Sequence, residues 1–180
     1  MKKIINIGII GCGVVGLKRL SNLPKNFKII ACADPKITTI KYKFENPKIL
    51  LTKDWKDLIK LKNLNAIIIA TTHQLHTIIL REAIKKNLHV FIEKPLTNTL
   101  EEAKKLIELC EEARVKVQVG HVERYNPAFI AARASIHNPM FIETHRLAQF
   151  SPRGTDVPVV LDLMIHDIDI VLSLVKSNIK

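Results

Sequence analysis

Short apolar runs alternate with segments of helical periodicity along the first two thirds of the chain. The apolar runs predict strands at residues 4–10, 28–33, 48–51, 66–70, 88–92 and 116–119. The segments between them predict helices at residues 14–22, 54–61, 76–86 and 100–113. Strands that are apolar on both faces and separated by helices are typical of a parallel sheet covered on both sides. The pattern therefore predicts a doubly wound α/β domain over residues 1–120.

The pattern changes after Gly120. It predicts a helix over residues 126–136, a long strand over 140–150, a loop over 151–158 and a nearly all-apolar helix over 159–175. A single strand cannot bury its apolar face or satisfy its edges alone. Residues 121–180 are therefore expected to begin a second domain whose sheet is incomplete. This indicates a truncated or split product, or one that needs a partner to finish the sheet.

The charge balance bears on the class of partner. A formal net charge of +11 suits a nucleic acid or an anionic membrane. However, the basic residues are scattered and form no block, with at most two adjacent to each other, and aromatic residues make up only 5% of the chain. A nucleic-acid surface needs clustered basic and stacking aromatic side chains. We therefore expect no nucleic-acid partner and interpret the surplus as a lysine-rich surface, with attraction of an anionic dinucleotide as the alternative.

The cysteines and the apolar runs bear on the cellular setting. Cys12, Cys32 and Cys110 are widely spaced and form no CxxC pair, which favours a reduced, cytoplasmic location. No set of Cys, His and carboxylate residues has metal-ligand spacing, so no metal is expected. No apolar run approaches the roughly 18 residues of a membrane span, and no membrane association is expected.

A glycine-rich loop connects the first predicted strand to the first predicted helix. In a loop that wraps a pyrophosphate, Gly11 permits the tight turn, Gly13 permits close backbone approach and Gly16 permits helix packing. Asp34 ends the second strand 18 residues after Gly16, where a carboxylate can accept hydrogen bonds from ribose hydroxyls. This arrangement predicts NAD as the cofactor. NADP is the alternative, because the amine of Lys36 could bind a 2′-phosphate. The predicted dinucleotide-binding residues here are Gly11, Gly13, Val14, Val15, Gly16 and Asp34.

Three stretches of the sequence together carry a family resemblance. They are the glycine loop, the pair ATTHQLH at 70–76 and VFIEKPL at 90–96, and DLMIHDID at 162–169. Glu-Lys-Pro at the end of a strand, with Asp-x-x-x-His about 70 residues later, resembles the Gfo/Idh/MocA oxidoreductases. The resemblance covers the entire chain. It implies a Rossmann domain and hydride transfer between a sugar hydroxyl and a nicotinamide cofactor. It also implies a second, α+β domain with an antiparallel sheet, of which residues 121–180 would form only the beginning.

The resemblance implies proton-transfer roles for three residues. Lys94 would lie beside the nicotinamide ring and the substrate hydroxyl, and His166 would be the acid/base that takes the hydroxyl proton. Asp162 would orient the imidazole or share its proton. The chemistry agrees, because alcohol oxidation needs a hydride acceptor and a base, and a histidine titrates near neutrality. Asp162 and His166 are four residues apart, so a helix would place them on one face.

The same resemblance implies which side chains line the nicotinamide end of the cofactor. They are Thr71 and Glu93, with His76 nearby. Pro95 lacks a backbone N–H and so ends its strand. Lys94 is thereby left at the carboxyl edge of the sheet, where ligands bind in doubly wound folds. In this family the bond between Lys94 and Pro95 is often cis, and a cis bond is expected here.

The segment VGHVERYNPAF at residues 119–129 bears on the substrate. It resembles a subgroup of the family that oxidises the 3-hydroxyl of UDP-N-acetylglucosamine, so a UDP-sugar is expected. Guanidinium groups suit diphosphate and sugar oxygens, and the candidate substrate-binding residues are Arg124, Tyr125, Asn126 and Arg153. Inositol or another polyol is the alternative substrate. The alternative of another class is a dinucleotide-binding module without catalysis, because the substrate platform is incomplete. A homo-oligomer is left open.

Overall fold

The computed structural model describes residues 3–40, 48–147, 157–175 and 177–178. The chain folds as two compact units, Met1–Val119 and Gly120–Lys180. The first unit is built on one parallel sheet. Its strands are β1 (Ile5–Ile10), β2 (Phe27–Ala33), β3 (Leu50–Thr52), β4 (Ala66–Ile69), β5 (His89–Ile92) and β6 (Val117–Val119). All six predicted strands are confirmed to within two residues at each end, as is the doubly wound α/β class.

The strand order is β3-β2-β1-β4-β5-β6, so the chain reverses its direction across the sheet between β1 and β4. At the centre of the sheet, Ile7 of β1 lies opposite Ile29 of β2 on one side and opposite Ala66 of β4 on the other. In doubly wound sheets, ligands bind outside the carboxyl ends of the strands at such a reversal. The fold therefore places the ends of β1, β4 and β5 where a cofactor would lie.

The helices of the first unit are those that the sequence predicted, with additional short turns. They are α1 (Val14–Ser21), α2 (Ile37–Ile40), α3 (Trp55–Ile59), α4 (His76–Lys85), preceded by a 3-10 turn at His73–Leu75, and α5 (Leu100–Ala113). Asp54 caps α3 by accepting the Lys56 N–H at 2.9 Å, and Thr99 caps α5 by accepting the Glu102 N–H at 3.2 Å. Both caps satisfy amides that a helix leaves free at its first turn. Among the described helices, none combines the length and apolar composition needed to cross a membrane.

The core of the first unit follows the two-residue periodicity of its strands. Ile7 and Ile9 of β1 pack on one face of the sheet, against α1 and α2, whereas Ile10 packs on the other. Leu80 on α4 and Leu106 on α5 are buried on that second face. Fully burying one such aliphatic side chain contributes about 1.5–3 kcal/mol. This two-sided burial explains why the strands read as continuous apolar runs rather than as alternating ones.

The described part of the second unit contains little regular structure before its last helix. It holds a 3-10 turn at Val122–Tyr125, α6 (Pro127–Arg133), a π-helical turn at Val160–Met164 and α7 (Ile165–Leu174). The helix predicted over residues 126–136 thus ends early. The helix predicted over residues 159–175 opens with a π turn, in which the Ile165 N–H bonds to the Val160 carbonyl five residues back.

The long strand predicted over residues 140–150 is wrong for the part that the structure describes. Residues 140–147 form no strand, and the described residues of this unit offer no neighbouring strand. An extended segment without a neighbour cannot pair its backbone amides and carbonyls in a ladder. The rest of that prediction, residues 148–150, lies outside the described residues, as do residues 151–156 of the predicted loop.

Candidate functional site

The glycine loop is shaped by two glycines and left open by a third. Gly11 has a φ of +90°, and a Cβ there would collide with the Ala70 carbonyl. A Cβ on Gly16 would collide with the Gly11 carbonyl, whereas a Cβ on Gly13 would meet nothing within 4 Å. Gly13 borders open space at the N-terminus of α1, where amides and the helix dipole favour an anion. These residues fit the pyrophosphate of a dinucleotide.

Asp34 stands beside this loop at the end of β2. Its Oδ2 accepts the Cys12 N–H at 2.8 Å, and its Oδ1 accepts the Lys36 N–H at 2.7 Å. A carboxylate has about four acceptor positions, so both oxygens keep capacity for further donors. The side chain of Lys36 is exposed. The carboxylate is thus oriented by the loop itself, which suits the ribose contact that the sequence predicted.

Cys12 and Cys32 pack together beneath the loop, and both are buried. A hydrogen bond to Cys12, with burial adding to it, raises the pKa of the Cys32 thiol. The Cys12 Sγ lies 3.9 Å from the Ala33 carbonyl oxygen. A buried thiol with a raised pKa carries little thiolate, which makes the Cys32 thiol a poor nucleophile. Cys12 is 2% exposed and packs here as a small apolar side chain.

The Glu93-Lys94-Pro95 turn follows β5, and the bond between Lys94 and Pro95 is cis, as predicted. The Glu93 N–H donates to the Ile69 carbonyl at 2.9 Å, which continues the pairing of β5 with β4. The Glu93 carboxylate forms an ion pair with Arg19 of α1 at 2.6 Å. Lys94 is half-buried. The turn is therefore held on one side by β4 and on the other by the helix that follows the glycine loop.

His76 is almost fully buried at the start of α4. Its Nδ1 lies 2.7 Å from the Pro95 carbonyl oxygen, and its Nε2 lies 3.2 Å from the Thr71 carbonyl oxygen. Burial lowers the pKa of His76 and outweighs these two contacts, which act in the opposite direction. A neutral ring donates to only one of the two carbonyls. His76 therefore supports the Thr71 loop and the Pro95 turn from beneath, which differs from the cofactor-lining position expected from the sequence.

Asp162 and His166 lie in the second unit. Asp162 belongs to the π turn, and His166 is the second residue of α7; both are half-buried. The π turn ends at Met164, directly before α7 begins at Ile165. Such turns are frequent at functional sites. Lys94 belongs to the first unit. The meeting of Lys94 with His166 and Asp162 therefore stays a prediction.

Arg124 was expected to bind substrate oxygens, but its guanidinium is occupied by a carboxylate of α7. Its Nε and one terminal nitrogen donate to the two oxygens of Asp169, each at 2.6 Å. This hydrogen bonding raises the pKa of Arg124. The Nδ1 of His121 lies 4.0 Å from the same carboxylate. A bidentate pair of this kind is geometrically specific, and it gives Arg124 a structural function that the sequence analysis did not foresee.

A second bidentate pair joins α7 to the preceding extended segment. Arg146 donates to both oxygens of Asp167 at 2.8 Å, and this hydrogen bonding lowers the pKa of Asp167. Asp167 and Asp169 follow His166 on the helix, one and three residues later, and neither was assigned a role from the sequence. Their presence on a mostly apolar helix could have indicated arginine or lysine partners, because a buried charge is costly unless it is paired.

The remaining substrate-binding candidates have different surroundings. Asn126 caps α6, since its side-chain oxygen accepts the Ala128 N–H at 3.0 Å. Tyr125 is exposed, and Arg153 lies outside the described residues. Among the residues that the structure describes, no group of three His, Cys, Asp or Glu side chains could hold a metal ion.

Comparison with known proteins gives a family match and several relatives. A family model described as "Oxidoreductase family, NAD-binding Rossmann fold" (GFO_IDH_MocA) matches residues 5–121. UDP-N-acetylglucosamine 3-dehydrogenase of Acidithiobacillus ferrooxidans is 38% identical over 119 residues, which are 66% of this chain and 38% of that protein. Inositol 2-dehydrogenase of Rubrobacter xylanophilus is 30% identical over 175 residues, 92% of this chain and 50% of that protein.

Solved structures show the same fold. A structure of the Acidithiobacillus ferrooxidans UDP-N-acetylglucosamine 3-dehydrogenase aligns with a TM-score of 0.86 and 28% identity, over 98% of this chain and 58% of that one. A probable dehydrogenase from Thermotoga maritima aligns with a TM-score of 0.84 at 23% identity, over 98% of this chain and 56% of that one. The chain spans 38% to 56% of the first three curated relatives that it matches.

Proposed function

Because this chain belongs to the oxidoreductase family with an NAD-binding Rossmann fold, we propose that it serves the NAD-dependent oxidation of a sugar hydroxyl. The proposed substrate is UDP-N-acetylglucosamine, and the proposed position of oxidation is its 3-hydroxyl. The observation that carries this choice is the 38% identity over 119 residues to a UDP-N-acetylglucosamine 3-dehydrogenase, together with a TM-score of 0.86 to a structure of that enzyme over 98% of this chain. The curated relatives are longer than this chain, so activity, substrate and assembly are all part of the proposal.

The cofactor proposal rests on the first unit. Gly13 leaves open space at the N-terminus of α1 for a pyrophosphate. Asp34 offers carboxylate oxygens beside it for the ribose hydroxyls. The same carboxylate would repel a 2′-phosphate, which favours NAD over NADP. Lys36 is the residue on which the opposite preference would depend.

The chemistry requires a hydride acceptor and a base. Bound NAD supplies the hydride acceptor. The hydroxyl proton is taken by the imidazole of His166, which can hold it near neutral pH and release it later. The amine of Lys94 hydrogen-bonds the hydroxyl oxygen, and Asp162 orients the imidazole. In this proposal, Arg124 and Arg146 act indirectly, by holding the helix that carries His166.

The test is the appearance of NADH absorbance when the purified chain is mixed with NAD and a candidate substrate. The panel contains UDP-N-acetylglucosamine, UDP-glucose and myo-inositol, each with NAD and with NADP. We expect UDP-N-acetylglucosamine and NAD to give the highest kcat/KM. Turnover with myo-inositol alone would favour a polyol dehydrogenase. Binding of NAD without any turnover would favour the non-catalytic module.

Matched variants test the proton-transfer residues. Lys94→Met and His166→Asn are each expected to lower kcat by about 100- to 10,000-fold, the range that general acid–base catalysis contributes. Lys104→Met on the exposed side of α5 and His137→Asn at an exposed position are the controls, expected to leave kcat unchanged. Equal loss in the variants and their controls, or no loss in either, would remove the assigned roles.

A further inference from the structure

An ion pair in the first unit connects the two ends of the proposed cofactor site. Arg19 lies on α1, one turn beyond the glycine loop, and its Nε donates to the Glu93 Oε1 at 2.6 Å. The Arg19 guanidinium lies over the Phe91 ring, 5.3 Å from its centroid. The side chains are 28% and 13% exposed, respectively. The pair is therefore partly shielded from water and has a fixed geometry, unlike an ordinary surface ion pair.

Glu93 is held on two sides and directly precedes Lys94. Its backbone N–H is bonded to Ile69 of β4, and its carboxylate is bonded to Arg19 of α1. The next peptide carries Lys94, and the Pro95 carbonyl that follows it rests on the buried His76 ring. The side chain of Arg19 is thus the connection from this turn to the helix that begins at the glycine loop.

The glycine loop itself is maintained by different contacts. Gly11 and Gly16 pack against backbone at the end of β4 and within the loop, and Asp34 is bonded to the Cys12 N–H. None of these contacts involves Arg19 or Glu93. The adenosine and pyrophosphate half of a dinucleotide would therefore be bound by groups that do not depend on the ion pair, whereas the nicotinamide half would depend on the turn that the pair holds.

We propose that Arg19 is a positioning residue for the nicotinamide half of the cofactor. By holding Glu93 against α1, it keeps the turn that carries Lys94 at a fixed distance from the glycine loop. The inference rests on the proposed NAD-dependent function. It does not require that the sugar be UDP-N-acetylglucosamine, or that the chain turn over any sugar by itself.

The experiment compares NAD with ADP-ribose, which has the same adenosine and diphosphate but lacks nicotinamide. Calorimetric titrations of the full chain measure both dissociation constants for the wild type and for Arg19→Met. We expect the dissociation constant of NAD to rise about tenfold, within the range by which positioning residues alter coupling, and that of ADP-ribose to change less than about twofold. Fluorescence of bound NADH, which reports the surroundings of the nicotinamide, is expected to change as well.

Further variants separate positioning from general stabilisation. Glu93→Gln is expected to give the same selective loss, and the double variant no more than either single one, because both changes remove one interaction. Arg19→Lys keeps the charge and is expected to restore part of the NAD affinity that Arg19→Met loses. This variant also provides a test if Arg19→Met does not fold. Lys18→Met, exposed on the same helix, is the control and is expected to match the wild type.

Two results would overturn the inference. One is a parallel loss of NAD and ADP-ribose affinity, which indicates a merely stabilising pair. The other is unchanged affinity for both ligands with unchanged emission of bound NADH. A wild-type chain that binds neither nucleotide would overturn this inference together with the proposed cofactor. Selective loss of NAD affinity in a chain that oxidises no sugar would support the inference while contradicting the proposed substrate.

Discussion

The two units differ in what holds them together. In the first unit, apolar side chains are buried on both faces of the sheet, and every buried apolar side chain among the described residues belongs to this unit. In the described part of the second unit, the buried side chain is a carboxylate, Asp169, whereas Met140 and Phe141 are exposed. In that described part, polar pairs around α7 take the place of an apolar core. The first unit therefore buries the apolar surface of its own helices and strands to a degree that the described part of the second unit does not.

The exposed apolar positions of the second unit follow a helical period. They recur every four residues along the π turn and α7, at Val160, Met164, Ile168 and Leu172. Such a stripe is typical of a helix face that packs against another layer. The curated relatives have further residues beyond the part that this chain matches. The unit that matches the NAD-binding family model and the helix to which we assign the proposed proton transfer therefore differ in their internal support.

The largest contrast is expected from truncating one isoleucine in each unit. Ile69 is 0% exposed at the end of β4, and Ile168 is 40% exposed on α7. Ile69→Ala is expected to lower the free energy of unfolding by about 3 kcal/mol, through lost burial and a cavity. Ile168→Ala is expected to change it by less than about 0.5 kcal/mol. Urea unfolding followed by the fluorescence of Trp55, the single tryptophan, measures the first unit, and far-UV circular dichroism, which reports the helices of both units, measures the second. Equal losses would contradict the difference between the units.

The next contrast lies within the glycine loop and separates folding from binding. Gly16→Ala is expected to lower the free energy of unfolding by about 2 kcal/mol, because the added Cβ overlaps the Gly11 carbonyl. Gly13→Ala meets no neighbour and has an ordinary negative φ, so its urea midpoint should match the wild type. Its methyl group would nevertheless occupy the space left for the pyrophosphate, and NAD affinity should fall at least about tenfold. Unchanged NAD affinity in Gly13→Ala would place the pyrophosphate elsewhere.

A smaller effect is expected from the arginine pairs of the second unit. Arg124→Met leaves the carboxylate of Asp169, only 9% exposed, without its bidentate partner. Arg146→Met removes the bidentate partner of Asp167, whose side chain is 20% exposed and therefore better hydrated. We expect Arg124→Met to destabilise α7 by about 1–2 kcal/mol and Arg146→Met by less than about 1 kcal/mol. Hydrogen exchange of the α7 amides reports this locally, and the reverse order would show that burial does not decide the importance of these pairs.

The smallest effect concerns pH and the buried His76. Burial lowers the pKa of His76 in the folded protein, so the unfolded chain binds more protons between that lowered pKa and the ordinary value of about 6.5. The free energy of unfolding therefore rises with pH in that window. The stability that the neutral, buried His76 contributes is lost as the pH falls below about 6.5. The difference in urea midpoint between wild type and His76→Gln should shrink on acidification. A difference that stays constant with pH would show that His76 does not titrate with unfolding.

Much of the first unit could be predicted from the sequence, because the responsible interactions are local. The apolar runs indicated each strand, Thr99 marked the start of α5, and the spacing of the glycines indicated the loop between β1 and α1. Asp34 was located by its distance from that loop. These features depend on periodicity, capping and backbone conformation, which neighbouring residues determine.

Only the tertiary structure showed the pairs that link distant segments. Arg19 and Glu93 are 74 residues apart, and Arg124 and Asp169 are 45 apart. From the sequence, Glu93 was expected to contact the cofactor and Arg124 the substrate. Their ion pairs were not foreseen, because a sequence does not say which carboxylate faces which guanidinium. The strand expected at 140–150 is absent from its described part, residues 140–147, for the same reason. Its extended pattern was present, but a strand exists only where another strand accepts its hydrogen bonds, and packing rather than local pattern supplies that neighbour.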